Sequence, residues 1–506
     1  MASNNKPKGK LTLVSLILMI FTSVYGFNNM PRSFYKMGYA AIPWFILSAI
    51  TFFVPFAFMM AEFGAAFKEE KGGIYSWMEK SIGPKFAFVG TFMWYTSYII
   101  WMVNVSSGLW VVFSNAVFGK DTTKTWSLFG LTAPQTLGIL GMLWIITVTY
   151  LSTKGLDKIK KITSVGGSAV AALNILLWVG ALTILILNKG QLAQPVEGLK
   201  SFIQSPNPKF AGNIMAGLAF IVYAIFAYGG IEVTSGLVDQ TENPEKTLPK
   251  GIAISAAIIS VGYSIGIFLV GIFTNWAKVI NQDGVHLGNA GYVVMANLGV
   301  ELGKALGLSD ATCMAMGAGI ARFVGISMFL ALTGAFFTLT YAPLKQIIEG
   351  TPAELWPGRL GEIKDGMPKF AMWVQASIVV VMIALVSFGG ESMTKFFDVL
   401  VIMTNVGMTL PYMFISAAFA PFKKKTEIHK PFEVFKSYNS ALIWTVVVTL
   451  TVGFANVFTI LEPALAGDMK TTFWSVVGPI VFAIIALAMY SRYEKKIATN
   501  KADKAA

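Results

Sequence analysis

A chain of 506 residues that is 55% hydrophobic and only 13% charged, against about 25% charged in soluble domains, is not a soluble globular protein. Its formal charge of +13 does not point to nucleic acid, because the basic residues sit in loops and tails flanking apolar runs, the pattern that sets membrane orientation. The lone Cys313 excludes an intramolecular disulfide and the two histidines, His286 and His429, lie in loop-like sequence, so no metal site, cofactor site or enzyme is expected.

Residues 1–10, with Lys6, Lys8 and Lys10, read as a short cytoplasmic tail before an uncleaved first helix, since further spans follow and no small-residue cleavage site is evident. At roughly 20 apolar residues per span, about twelve spans can be separated. They are 11–36, 40–67, 84–115, 134–152, 162–188, 211–239, 249–275, 312–343, 370–388, 394–420, 440–461 and 472–491. The expected fold is an all-α polytopic membrane protein with one transporter domain over 11–491 and a short, mobile cytoplasmic tail at 492–506. With the chain starting inside, the inner segments hold roughly 27 of the 39 lysines and arginines, an asymmetry that places both termini in the cytoplasm.

The first span is interrupted at Ser23-Val-Tyr-Gly-Phe-Asn-Asn-Met-Pro31. Freed backbone groups find no water in hydrocarbon, so such a break is tolerated only where protein or a wet cavity surrounds it. The second span carries Glu62 near its inner end, where a gate or loop anchor is expected. Asn104 in the third span is candidate polar lining. The sixth span contains Phe226-Ala-Tyr-Gly-Gly-Ile-Glu232, with adjacent glycines, each costing about 1 kcal/mol relative to Ala in a helix, and a carboxylate that is functional by default at this depth. The segment 276–311 is either short helices over an outer vestibule or a loop. In the eighth span Arg322 is expected about 15 Å below the outer surface, neutralising Glu232 or facing an acidic substrate; Ser327, Thr333, Thr404 and Asn405 are further polar candidates.

Breaks in spans one and six, five spans apart, are the pattern of an inverted repeat with a site near the bilayer midplane. The competing reading takes Gly26, Gly229 and Gly230 as helix-packing glycines. As a site, the first break offers N–H groups of Gly26, Phe27 and Asn28 to a carboxylate. Carbonyls of Phe226, Ala227 and Tyr228 accept from an ammonium, while Gly229 and Gly230 allow close backbone approach. Tyr25, Phe27, Phe226 and Tyr228 would line the pocket.

Three blocks carry a family resemblance: the first break, Ala61-Glu-Phe-Gly-Ala-Ala-Phe-Lys-Glu-Glu-Lys-Gly-Gly-Ile-Tyr-Ser-Trp77 with Gly83-Pro84, and Phe226–Glu232 running into Thr241-Glu-Asn-Pro-Glu-Lys-Thr-Leu-Pro-Lys-Gly251. They resemble the amino acid–polyamine–organocation superfamily, and within it the glutamate:GABA antiporter family. The resemblance implies a LeuT-type fold with 5+5 inverted repeats (11–188 and 211–420), broken helices 1 and 6, and two peripheral helices within 440–491. It also implies amino acid transport by alternating access in a bacterial cytoplasmic membrane. Ser23-Val-Tyr-Gly-Phe-Asn28 departs from the superfamily's usual Gly-Ser-Gly-Ile-like signature. No lysine stands in Ser164–Ser168, where several proton-coupled relatives have one nearby, and the tail is shorter than the plug of acid-resistance antiporters.

The expected function is therefore secondary active transport of an amino acid or derived amine, by exchange. Proton- or sodium-coupled symport and, behind it, a non-transporting amino acid sensor are the alternatives. Partners are the small molecule and membrane lipids, not nucleic acid, with the coupling ion undefined.

Overall fold

The computed structural model describes residues 10–211 and 214–505; the side chains of 22, 156–160, 214, 216, 392–405 and 501–505 fall outside it. Lys6, Lys8, and the side chains of Thr404 and Asn405 therefore lie outside the described residues.

The chain begins with α1 (Leu13–Val24), started by Thr12, whose hydroxyl accepts from the Ser15 N–H, and ended at Tyr25. After the break come α2 (Asn29–Met37) and α3 (Ala41–Ser48), which a π-helical turn at Ala49–Phe53 joins to α4 (Val54–Ala66). Between α2 and α3 the chain bends at Gly38, whose φ of +59° suits glycine. Short α5 (Ile74–Ser81) precedes α6 (Pro84–Phe118), α7 (Ala133–Ser152) and α8 (Leu156–Leu187). A single turn, α9 (Lys200–Ile203), leads to α10 (Ile214–Ala227), which passes through Tyr228–Gly230 into a 3-10 helix, Ile231–Gln240. The remainder is α11 (Pro244–Phe273), α12 (Ala290–Ala305), α13 (Asp310–Gly350), α14 (Lys369–Phe388), α15 (Gly390–Lys424), α16 (Tyr438–Leu465) and α17 (Met469–Ala505). Among the described residues there is no strand, only isolated bridges such as Leu11 with Thr241.

Among the described residues ten helical stretches are long and apolar enough to cross a membrane, two of them composite: Asn29–Ala66, which joins α2 to α4, and Gly217–Gln240, which joins α10 to the 3-10 helix. The expectation of about twelve differs at two places. The break cuts α1 to 12 residues, which at 1.5 Å each is about 18 Å, short of the roughly 30 Å hydrocarbon layer. Meanwhile α15 is long, but 392–405 are outside the described side chains.

Two other boundaries move. The segment expected as a mobile tail from Arg492 continues α17 to Ala505, since its Ala, Lys and Glu residues favour helix and no Gly or Pro interrupts them. Likewise α13 runs past the expected end at 343 to Gly350, with Pro343 inside it, so Lys345 belongs to a helix rather than to a loop.

The start of the chain meets the end of the 3-10 helix, Leu11 with Gln240 and Glu242, at the near face, and α2 meets the connection after α11, Arg32 with Leu287 and Tyr35 with Trp276, at the far face. Burial is graded across the bundle. Around the second break, 72% of the residues of the most apolar stretch of Gly217–Gln240 are buried, against 22% in Met469–Asn500. The broken segments are thus central and α17 peripheral. Packing and hydrogen bonds hold such an interior together, since lipid tails are as apolar as Leu. The largest fully buried side chains include Trp94, Tyr228, Tyr263 and Phe27, and all four stand at or beside the breaks.

Candidate functional site

The two breaks lie against each other. A Cβ on Gly230 would come 2.6 Å from the Ser23 carbonyl oxygen, so only glycine permits this approach, and its φ of +115° also favours glycine. At Gly229 a Cβ would stand 2.7 Å from the Tyr412 hydroxyl.

At the first break the backbone changes partners residue by residue. The Tyr25 N–H still reaches Phe21 O at 3.0 Å, and Gly26 turns back to Val24 O at 3.1 Å. Asn29 and Met30 donate to Gly26 O and Phe27 O at 2.8 and 3.2 Å, tightening the start of α2. That leaves the N–H groups of Phe27 and Asn28 without a partner among the described residues, at a helix N-terminus suited to negative charge. At the second break Tyr228 and Gly229 donate to Ile225 O and Phe226 O, both at 3.1 Å.

Between the breaks stands Tyr263 of α11, which sequence reasoning missed. Its hydroxyl oxygen accepts from the Gly26 N–H at 2.9 Å and Asn29 Nδ2 at 3.2 Å. It has Ala227 O at 3.0 Å and Val24 O at 3.3 Å as acceptors for its proton. The ring packs on Tyr25, Phe45 and Tyr228 at centroid distances of 4.7, 5.1 and 5.2 Å. The available signal was a lone tyrosine between Gly262 and Gly266 in an apolar run.

The expected lining residues gather here with different exposures. Tyr25, Phe27, Ala227 and Tyr228 are buried and Phe226 is partly exposed. Tyr25 donates to Asn174 Oδ1 at 2.9 Å, tying the first break to α8. Asn28 turns its side chain to α12, where a Cβ on Gly291 would lie 2.3 Å from its Oδ1. Its backbone alone is left for the break. On the far side α12 packs on α2 and the Trp276 indole N–H donates to Tyr35 O at 2.9 Å; the segment 276–311 thus carries helices rather than being a plain loop.

Glu232 is fully buried. Its Oε1 accepts from Trp94 Nε1 at 3.0 Å, Tyr98 at 3.1 Å and Tyr412 at 3.2 Å, while Oε2 accepts from the Gly230 N–H at 3.1 Å. Indole and peptide N–H groups can only donate, so the side chain is held as an acceptor linking α6, α15 and the second break.

Arg322 does not meet it. That side chain is exposed and lies beside Gly119, the residue capping α6. The 41 residues of α13 span about 60 Å, twice the hydrocarbon thickness, so counting from a helix start misjudged the depth. Asn104 is also exposed, and Thr333 returns its hydroxyl to Phe329 O at 2.7 Å within its own helix; neither lines the breaks. Ser327 is buried in α13.

Glu62 is placed as an anchor. Fully buried, it accepts from Val434 N at 2.6 Å, Phe435 N at 2.8 Å and Lys423 Nζ at 2.9 Å, fixing the connection after α15 to α4. In that connection burial, and then the Lys423 charge, hold Lys430 below the usual lysine range.

A second set of near-face ties was not foreseen. Leu11 N donates to Gln240 O at 2.8 Å and Glu242 N to Leu11 O at 2.9 Å. Lys345, buried, pairs with Asp239 and Glu349, each at 3.0 Å. Beside it Gln346 accepts from Ser235 at 2.7 Å and from Ile74 N at 3.2 Å. The 3-10 segment after the second break is therefore strapped to α13 and to the start of the chain.

A family profile described as amino acid permease matches residues 11–488. The inner membrane transporter YjeM of Escherichia coli (strain K12) is 52% identical over 97% of this chain and 98% of its own. More distant are the aspartate/glutamate permease AcaP of Lactococcus lactis subsp. cremoris, 22% identical over 81% of this chain and 79% of its own, and the glutamate/gamma-aminobutyrate antiporter of Lactococcus lactis subsp. lactis, 20% identical over 89% and 83%.

Proposed function

Because the chain belongs to the amino acid permease family, we propose that it is a secondary active amino acid transporter of the bacterial inner membrane that works as an exchanger by alternating access. Twelve spans arranged as a 5+5 inverted repeat, 11–188 and 211–420, with peripheral helices within 440–491, give the architecture, and the near face is cytoplasmic with both termini.

The observation that carries this reading is the contact of the two breaks, Ser23 O against Gly230, beside the unpartnered N–H groups of Phe27 and Asn28. An amino acid's carboxylate takes the N–H groups from Gly26 to Asn28, and its ammonium takes carbonyls between Phe226 and Tyr228. Tyr25, Phe27, Phe226 and Tyr228 form the walls, with Gly229 and Gly230 giving backbone access. Glu232, bonded to Trp94, Tyr98 and Tyr412, is the hinge between site and near-face gate. Glu62 and the Lys345 cluster hold that gate shut until one bundle rocks against the other.

Exchange is favoured by the names of two relatives, the glutamate/gamma-aminobutyrate antiporter and the probable agmatine/putrescine antiporter AguD of Lactococcus lactis. The substrate class is an amino acid or its decarboxylated amine. Purified protein in liposomes, loaded with each candidate and given the same or another labelled candidate outside, tests this. Uptake that depends on internal substrate supports exchange. Uptake driven by a proton or sodium gradient into empty liposomes makes it a symporter, and no uptake under any condition removes the transport reading.

A further inference from the structure

The hydroxyl of Tyr263 occupies the position where the two breaks converge, and its bonding is complete. Two lone pairs take the Gly26 N–H and Asn29 Nδ2, at 2.9 and 3.2 Å, and the single proton has the Ala227 and Val24 carbonyls at 3.0 and 3.3 Å. This exhausts what a phenol can offer. The partners are a peptide donor at a helix start and carbonyls at helix ends, the groups that a carboxylate and an ammonium would take in the proposed site.

Three points argue that this bonding alternates with substrate. The ring is fully buried among Tyr25, Phe45 and Tyr228, with its hydroxyl against both breaks where they meet. Its helix, α11, is distinct from both broken segments, so it can withdraw without unwinding either. Finally, a buried peptide group left unpaired is costly, and of the three N–H groups proposed for the carboxylate it is that of Gly26 that Tyr263 satisfies, those of Phe27 and Asn28 having no partner among the described residues.

We propose that Tyr263 is an internal stand-in for the transported amino acid: its hydroxyl caps Gly26 and Ala227 in the empty carrier and is displaced when substrate binds, which makes it a determinant of affinity. This rests on the transport reading above. The opposing view is a permanent strut that stays in place with substrate bound elsewhere.

Tyr263→Phe keeps the ring and removes the oxygen. The amino acid giving the largest uptake in the liposome panel is titrated against wild type and variant, by uptake and by thermal stability. A stand-in predicts that KM falls about fivefold to tenfold, the effect of no longer displacing one buried hydrogen bond. Maximal exchange falls with it, because release slows, and saturating amino acid raises the variant's melting temperature by more than it raises the wild type's. A KM unchanged or raised overturns the proposal.

Should the variant not fold, full-length protein carrying 3-fluorotyrosine at position 263 retains the hydroxyl. Its fluorine resonance shifts on saturation with the same amino acid if the phenol is displaced, and an unmoved resonance overturns the proposal. Wild-type uptake with an unchanged variant KM refutes the role of Tyr263 alone. Neither uptake nor binding by the wild type refutes the transport reading, and this proposal with it.

Discussion

Glu62→Gln separates an anchor from a substrate ligand. The native carboxylate is fully buried and accepts three bonds, from Val434 N, Phe435 N and Lys423 Nζ at 2.6, 2.8 and 2.9 Å. The amide oxygen of glutamine can keep the two peptide bonds. Its NH2 then faces the Lys423 ammonium, donor against donor, and the ion pair is gone. Removing one member of a buried pair costs about 3–5 kcal/mol. Lys423 keeps Glu433, whose side chain is 37% exposed, so the low end applies and the expected loss is about 3 kcal/mol. Since Glu62 touches neither break, no substrate contact is lost, and any change in KM should follow only the stability lost at the proposed gate. Adding Lys423→Met removes the stranded ammonium and should restore about 2 kcal/mol, a coupling within the range of contacting pairs. Equilibrium unfolding in mixed micelles gives the stabilities and liposome uptake gives KM. A loss under about 1 kcal/mol combined with a raised KM would refute the anchor and make Glu62 a substrate contact.

Gly229→Leu sets a side chain where a Cβ alone would be 2.7 Å from the Tyr412 hydroxyl; uptake should be abolished while membrane insertion persists, and normal uptake would remove span six from the site. Glu232→Gln leaves either the Gly230 N–H or the Trp94 indole N–H facing an NH2 group. Maximal uptake should fall at least about tenfold, the equivalent of one lost hydrogen bond, with the protein still inserted, so that unimpaired turnover counts against a hinge at Glu232. Arg322→Gln, at an exposed side chain beside Gly119, should leave KM within about twofold, and a larger change for acidic substrates would bring the arginine back to the site.

What could be read from the sequence were features that violate a local rule. Glycines and carboxylates inside apolar runs are expensive, so the breaks at Gly26 and Gly229-Gly230, and the acids Glu62 and Glu232, stood out. The partners of those acids did not. Trp94, Tyr98 and Tyr412 lie 138, 134 and 180 residues from Glu232, and an aromatic in an apolar run is indistinguishable from packing until the fold brings it to a carboxylate. Tyr263 was hidden for the same reason. Lys345 lies just past the expected span 312–343, where an ammonium ordinarily marks the membrane surface, whereas here Asp239 and Glu349 neutralise it inside the bundle. Arg322 differs in the other direction: its depth is counted along a helix of 41 residues, about twice as long as the hydrocarbon is thick, so distance from the helix start does not give depth.

The 3-10 segment Ile231–Gln240 has a consequence for how the near face is locked. With three residues per turn, positions three apart eclipse. The bonds to α13 follow that period: Gln346 donates to Val233 O at 3.2 Å, and Lys345 to Gly236 O at 3.2 Å and to the Asp239 carboxylate at 3.0 Å. In ordinary α form, at 3.6 residues per turn, Asp239 would be rotated about 120° from Val233 and would face away from Lys345. The ionic lock therefore reads the winding of this segment as well as its position. A modest unwinding would release it without any helix having to translate.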